Sequence, residues 1–184
     1  MSIGGYKIRN KQEIHFITFA VVEWVDIFSR RLYRDILVKS LEYCQQQKGL
    51  RIHGWCIMTN HVHLLVSSVE NDLPGIIRDF KKYSSYAVIK AILENPGESR
   101  KDWIIPILKK AGESNVRNKN YQMWRQENQP KEAWSPQFTL TKLNYIHQNP
   151  VAAGWVEKPE HYRYSSAMDY FLTKRVGLLK IDFI

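Results

Sequence analysis

Two histidines separated by one residue are the first feature of the sequence that suggests chemistry. His61 and His63 lie in the otherwise apolar run MTNHVHLLV, residues 58–66. In a β-strand, residues i and i+2 point to the same side, so both imidazoles should project from one face. Burying two imidazoles without partners is costly, and a shared divalent metal would satisfy the lone pair of each neutral ring. Two hydrogen-bonded histidines at a strand start remain the alternative.

A tyrosine and an asparagine four residues apart form the second feature. Ser135-Pro136 predicts the start of a helix and Asn149-Pro150 predicts its end. At this spacing Tyr145 and Asn149 stack on one helix face. An amide oxygen can complete a two-histidine metal site, and a hydroxyl beside the metal can attack a phosphate bound to it. A half-buried ring and a helix-end asparagine remain the alternatives.

A phenol is mostly protonated at neutral pH, so it must be activated to act as a nucleophile. With an ordinary pKa near 10, forming a phenolate at pH 7 costs about 4 kcal/mol. Positive charge at the reacting phosphate would offset that cost. Imidazole ligands favour zinc or other late transition metals, whereas an amide oxygen and a phosphate favour magnesium or manganese. The ligand set alone therefore leaves the metal open.

The order of the elements predicts how these side chains are positioned. A strand over 14–22 is followed by a helix over 29–48 and by a hairpin whose strands, 51–58 and 62–67, are joined by Thr59-Asn60. This order predicts an α+β fold with an antiparallel sheet. The remaining predicted elements are a helix over 71–95, a short helix over 103–111, an edge strand over 121–125 and the helix from Ser135 to Asn149.

Composition and charge narrow the class of protein. With 184 residues, of which 44% are hydrophobic, the chain is long enough for one domain with a real core. It has no run of about 18 apolar residues and no apolar N-terminal stretch, so we expect no membrane span and an intracellular location. Cys44 and Cys56 form no CxxC pair, which favours two buried thiols over a zinc finger. The net charge of +9 favours a polyanionic partner, above all nucleic acid.

Several basic and aromatic residues are candidate DNA contacts. Arg78, Lys81 and Lys82 lie on the predicted helix after the hairpin and could bind phosphates, although a solvated helix face is a near-equal alternative. Trp124 and Arg125 could stack on unpaired bases.

Two segments carry a resemblance to a known family. They are Gly54 to Val66 (GWCIMTNHVHLLV) and Tyr145 to Val156 (YIHQNPVAAGWV), with a weaker third segment at Pro159 to Tyr170 (PEHYRYSSAMDY). In order and separation they resemble the single-tyrosine HUH transposases of the insertion-sequence-two-hundred-like group, and within it the REP-associated tyrosine transposases. The resemblance extends from the first strand to about residue 170, and the tail over 171–184 has no counterpart.

The resemblance implies a fold, a site and a substrate. The fold is a ferredoxin-like or RRM-like antiparallel sheet with helices packed on one side, and residues 1–184 form a single domain. His61 and His63 fall on the histidines that hold magnesium or manganese, and Asn149 falls where relatives place a glutamine or asparagine ligand. Tyr145 falls on the nucleophile, which would form a 5′-phosphotyrosine linkage. The partner would be single-stranded DNA bearing a hairpin, such as a repetitive extragenic palindrome.

The resemblance also bears on assembly and rival functions. A cytoplasmic, nucleoid-associated location would suit this substrate, and both a monomer and a homodimer stay open. One rival is a non-catalytic module that binds single-stranded nucleic acid on an RRM-like sheet. The other is a metal-dependent nuclease that uses the same histidines with water as the nucleophile.

Overall fold

A four-stranded antiparallel sheet lies at the centre of the protein. The computed structural model describes residues 13–115, 120–126, 130–133 and 135–184. The strands occur in the order β2-β3-β1-β4, which confirms the predicted α+β class. Their bounds are β1 His15–Ala20, β2 Leu50–Ile57, β3 His61–Ser68 and β4 Lys131–Glu132.

Five α-helices surround the sheet in the described part of the chain, and two of them have well-defined starts. The Asp72 carboxylate accepts a hydrogen bond from the backbone N–H of Gly75, and the Ser135 hydroxyl accepts one from Phe138. Both caps satisfy amide groups that have no partner inside their helix. No described helix has the length and apolar character needed to cross a membrane. The helices are α1 Arg31–Lys48, α2 Leu73–Glu94, α3 Lys101–Glu113, α4 Pro136–Ala152 and α5 Ala167–Leu172.

The two faces of the sheet carry different helices. Because side chains alternate along β1, Phe16 and Phe19 point to opposite faces. The Phe19 ring packs on Phe80 of α2, with centroids 5.6 Å apart, and α1 packs beside α2. These helices lie together on one side of the sheet, as predicted. Tyr145 of α4 contacts Phe16, so α4 crosses the opposite face.

Two predicted elements differ from the structure by more than two residues. The edge strand expected over 121–125 makes only an isolated bridge between Val21 and Trp124, and the paired fourth strand is Lys131–Glu132. Met123 and Trp124 are instead buried in the core. The helix expected to end at Asn149-Pro150 continues to Ala152. Proline in a helix interior removes one hydrogen bond, but it does not always stop the helix.

The C-terminal tail covers the outer edge of β2. Leu179 and Ile181 are buried, and the backbone N–H of Asp182 donates to the carbonyl of Ile52 at 2.9 Å. Three residues further along β2, the carbonyl of Trp55 accepts a hydrogen bond from the N–H of Ser166, which precedes the tail in the chain. Residues 171–184, for which the sequence predicted no role, therefore protect an otherwise exposed strand edge.

The buried His53 connects the C-terminal tail to β3 through two hydrogen bonds. Its Nδ1 lies 2.7 Å from the carbonyl of Asp182 and its Nε2 lies 2.8 Å from the hydroxyl of Ser67. Since a carbonyl only accepts, Nδ1 carries the proton and Nε2 accepts from Ser67. Burial lowers the pKa of His53 below its usual value.

We expect acid to destabilise the protein through His53. Below about pH 6.5, His53 takes up a proton in the unfolded chain more readily than in the folded chain. Its contribution to the free energy of unfolding is therefore fully present above that pH and is lost as the pH falls. The loss is at most about 1.4 kcal/mol per pH unit for one histidine. Urea unfolding at pH 7 and pH 5 should show a smaller drop for His53→Gln than for the parent. Equal drops would contradict the assignment.

Gly54 allows α4 to approach β2 closely. A Cβ atom at this position would lie 2.6 Å from Cδ1 of Leu143 and 3.7 Å from Cδ1 of Ile146. We therefore expect Gly54→Ala to destabilise the fold by about 1–3 kcal/mol, as overpacking does. Urea unfolding would measure the change. Gly97→Ala is the matched control, because a Cβ there approaches only the Asn95 side chain, at 3.4 Å, and a loss as large as that of Gly54→Ala would refute the packing explanation.

Candidate active site

The paired histidines lie at the start of β3 on the face that α4 covers. His61 and His63 have ring centroids 4.7 Å apart. His63 is buried, with 4% of its surface exposed, and His61 is partly buried. The alternation of β3 thus brings the two imidazoles side by side, as the HxH spacing predicts.

Neighbouring oxygens decide where His61 carries its proton. Nδ1 of His61 lies 2.7 Å from Oδ1 of Asn60, whose amide nitrogen donates to the carbonyl of Trp24. Nε2 of His61 lies 3.4 Å from Oδ1 of Asn149. Both oxygens are acceptors, and a neutral imidazole has only one N–H. The shorter contact assigns the proton to Nδ1, so the lone pair of Nε2 faces the amide oxygen of Asn149.

Asn149 presents its oxygen because its nitrogen is used elsewhere. The amide nitrogen of Asn149 donates to the backbone carbonyl of Tyr145, one helical turn earlier, at 3.3 Å. The i,i+4 spacing on α4 therefore orients the amide as well as placing it. Two lone pairs 3.4 Å apart repel each other, and a cation between them would turn that repulsion into attraction.

The second histidine has a similar environment. Nδ1 of His63 lies 2.8 Å from the hydroxyl of Thr18 on β1. Nε2 of His63 is buried and has no hydrogen-bond partner among the described residues. The Thr18 hydroxyl can donate or accept here. In the tautomer whose Nδ1–H donates to Thr18, the Nε2 lone pair is available to a metal, and the hydroxyl acts as the outer partner that metal-binding histidines usually have.

The donor set fits a divalent metal. It consists of two imidazole nitrogens and one amide oxygen. No cluster of three or more His, Cys, Asp or Glu side chains suited to a metal occurs in the described residues. The candidate third donor is therefore an amide oxygen, that of Asn149, which lies 3.4 Å from Nε2 of His61. Burial lowers the pKa of His61, and burial together with the neighbouring His61 lowers the pKa of His63 to about 3. Both rings are neutral at pH 7, as metal binding requires.

Tyr145 lies beside the histidines and is not buried in the interior. Its ring contacts His63 edge-on, with centroids 5.2 Å apart, and packs against Phe16 at 5.9 Å. The side chain is 48% exposed, so a substrate can reach the phenol. The structure thus brings Tyr145, His61, His63 and Asn149 together within one chain.

Three further residues lie at the site but were not predicted from the sequence. Thr18 and Trp24 come from β1 and the turn after it, and nothing in their local sequence marks them. Lys142 precedes Tyr145 by three residues, a spacing that could have identified it. Its ammonium lies 5.1 Å from the Phe16 ring centroid and 5.5 Å from that of Tyr145. It adds a positive charge beside the phenol.

Three of the basic residues predicted to bind DNA lie on α2, across the sheet from the histidines. Arg78 and Lys82 are exposed there. Lys81 donates from its ammonium to the backbone carbonyl of Arg125 at 2.9 Å, and burial lowers its pKa to about 8. These residues do not contact the paired histidines, and their role in DNA binding stays a prediction.

The structure corrects the role predicted for Trp124. Only 4% of its surface is exposed, its ring packs on Phe19 and Phe28, and its Nε1 donates to the hydroxyl of Ser84. A base could stack on this ring only if the core opened. Arg125, by contrast, is exposed, and its guanidinium lies 5.6 Å from the ring centroid of Trp24.

A solved structure shares this fold across nearly the whole chain. It is described as the structure of a REP-associated tyrosine transposase bound to a REP hairpin. The match has a TM-score of 0.61 at 16% identity and covers 99% of this chain and 92% of that one. A solved structure from Deinococcus radiodurans R1, described as a candidate transposase, matches at 17% identity over 79% of this chain and 95% of that one. Its TM-score of 0.46 is too low to support an argument.

A sequence model supplies the family. No curated protein matches the chain. The model described as "Transposase IS200 like" matches residues 9–105, more than half of the chain. The matched segment contains His61 and His63, whereas Tyr145 and Asn149 lie beyond it. The chain therefore belongs to the IS200-like transposase family.

Proposed function

We propose that the protein cleaves and rejoins single-stranded DNA at hairpin sequences through a covalent bond to Tyr145. One observation carries the proposal. A half-exposed phenol from α4 lies 5.2 Å, between ring centroids, from one of two neutral, paired imidazoles of β3. Residues far apart in sequence converge here on one face of the sheet.

We further propose that His61, His63 and Asn149 hold magnesium or manganese. A divalent metal there would bind the oxygens of the reacting phosphate and offset the negative charge of the transition state. Asn60 and Thr18 hold the two rings through Nδ1, which leaves Nε2 of each histidine for the metal. The choice of magnesium or manganese rests on the family, since imidazoles alone would favour later transition metals.

In the proposed cleavage step, the phenol oxygen of Tyr145 attacks the phosphorus atom. A phosphorus–tyrosine bond forms and the bond to the 3′ oxygen breaks. The phenol gives up its proton, and the departing oxygen leaves as a 3′-hydroxyl. The product is a 5′-phosphotyrosine ester with one ester bond exchanged for another, so the reverse attack by a 3′-hydroxyl rejoins DNA without ATP.

Lys142 supports this step as a positioning residue. Its ammonium is also held 5.2 Å from the centroid of Phe138, so three aromatic rings surround it. This position places a fixed positive charge near the phosphate that approaches Tyr145. The positive charge of Lys142 would attract the negatively charged phosphodiester to this position.

The proposed substrate rests on charge and on the structural neighbour. The net charge of +9 favours a polyanion. The neighbouring transposase structure contains a REP hairpin, and we extend that substrate class to this chain. Because all four site residues come from one chain, we propose that a single protomer carries a complete site.

Neither rival function has equal support. An RRM-like binding module would need open aromatic rings on the sheet, but Phe16, on the face of the histidines, is only 7% exposed beneath α4. A nuclease that uses water would not need a half-exposed tyrosine against His63. The experiment below distinguishes both the binding module and the water-dependent nuclease from strand transfer by Tyr145.

The direct test is a search for the covalent intermediate. Labelled single-stranded DNA with a hairpin would be incubated with the protein and manganese and resolved on a denaturing gel. We expect a labelled band at the mass of the protein plus DNA, which EDTA abolishes. Cleaved DNA without such a band would favour water as the nucleophile, and intact DNA that is nonetheless bound would favour a binding module.

A further inference from the structure

An exposed tryptophan lies directly beside the histidine pair. Trp24 belongs to a 3-10 turn, Val22–Trp24, that follows β1. Its ring meets the His61 ring edge-on, with centroids 6.0 Å apart, yet 51% of the side chain is exposed to solvent. Other aromatic rings of the chain are as exposed as this one, but Trp24 combines exposure with a direct contact to the histidine pair.

The backbone is strained so as to hold Trp24 in this position. Glu23 and Trp24 have φ angles of 50° and 54°, in the left-handed region that bulky residues avoid. Such conformations persist only where the surroundings enforce them. Here the N–H of Trp24 donates to the carbonyl of Val21, and its own carbonyl accepts from the Asn60 amide. Asn60 is the same residue that orients His61, so the turn and the histidine pair are linked.

A cation lies over the exposed ring. The guanidinium carbon of Arg125 is 5.6 Å from the Trp24 ring centroid. A backbone hydrogen bond from Arg125 to the carbonyl of Ala20 holds this segment beside the end of β1. An aromatic ring with an adjacent cation is the combination that binds an unpaired base and its phosphate together.

We propose that Trp24 and Arg125 form a stacking platform for an unpaired base next to the phosphate that is cleaved. The proposal rests on the proposed function, because the base belongs to the strand that reaches Tyr145. It differs from a general DNA contact in that the ring meets the His61 ring edge-on, so a base stacked there would lie beside the histidine pair. Its effect would be to position the strand and not to carry out chemistry.

The test compares strands with and without bases. Two labelled 12-mers would be used, oligothymidylate and a strand of the same length and charge made of abasic residues. Binding would be measured by fluorescence anisotropy with manganese, in a Tyr145→Phe background that prevents cleavage. We expect Trp24→Ala to lose about 5- to 150-fold in affinity for oligothymidylate and none for the abasic strand, while Trp24→Phe retains most of the parent affinity.

A second exposed ring provides the matched control. Tyr43 is 54% exposed on α1, which packs with α2 across the sheet from the histidines, so Tyr43→Ala should leave both affinities unchanged. Unchanged binding by Trp24→Ala would overturn the proposal. An equal loss on both strands would also overturn it, since that result indicates a backbone contact or a distorted turn. Adduct formation by the parent protein is scored separately, so failure of the platform and failure of strand transfer are distinguishable.

Discussion

Replacing Tyr145 by phenylalanine is expected to abolish the covalent protein–DNA adduct while leaving the fold and DNA binding intact. The phenylalanine ring keeps the edge contacts with His63 and Phe16, and the side chain is half exposed, so no cavity forms. Only the attacking oxygen is lost. By analogy with other enzymes that lose their nucleophile, the rate of adduct formation should fall by about 10⁴-fold or more. A denaturing gel with labelled hairpin DNA measures it.

A second tyrosine supplies the control for this substitution. Tyr83 on α2 is 60% exposed and lies beside Lys82, but it is across the sheet from the histidines. Tyr83→Phe should therefore form adducts at the parent rate. Thermal unfolding and anisotropy would verify that both variants fold and bind DNA. Adducts that persist in Tyr145→Phe would remove Tyr145 from the mechanism, and cleavage without adducts would assign the attack to water.

Replacing His61 or His63 by alanine is expected to remove both manganese binding and adduct formation. Each substitution deletes one nitrogen from the proposed three-donor site and leaves only two of the proposed donors. We expect the affinity for manganese, measured by calorimetry, to fall at least about 100-fold, since loss of even an outer partner of a metal ligand costs about 10- to 100-fold. Adduct formation should fall in parallel.

Two further variants separate metal binding from folding. His161 is exposed, so His161→Ala removes an imidazole without touching the paired histidines and should bind manganese normally. Thr18→Val keeps both ligands but deletes the hydroxyl 2.8 Å from Nδ1 of His63, and it should weaken manganese binding by about 10- to 100-fold. Unchanged calorimetry for His61→Ala and His63→Ala would show that the histidines serve only the fold.

Short-range patterns in the sequence determined the class of fold. They also determined that His61 lies beside His63 and that Tyr145 lies beside Asn149. The two-residue period of a strand is local, so HxH alone places His61 and His63 on one face. The 3.6-residue period of a helix likewise places Asn149 one turn after Tyr145. Short segments of the sequence already resembled this family, and the family model matches residues 9–105, which contain the first of those segments.

The tertiary structure alone decided which face α4 covers and which aromatic residues remain exposed. Trp24 and Trp124 both lie near the end of a predicted strand, yet Trp24 is exposed at the site and Trp124 is buried against Phe19 and Phe28. Thr18 meets His63 only because β1 pairs with β3. Burial and contact depend on segments distant in the chain, and the local sequence does not encode where those segments will pack.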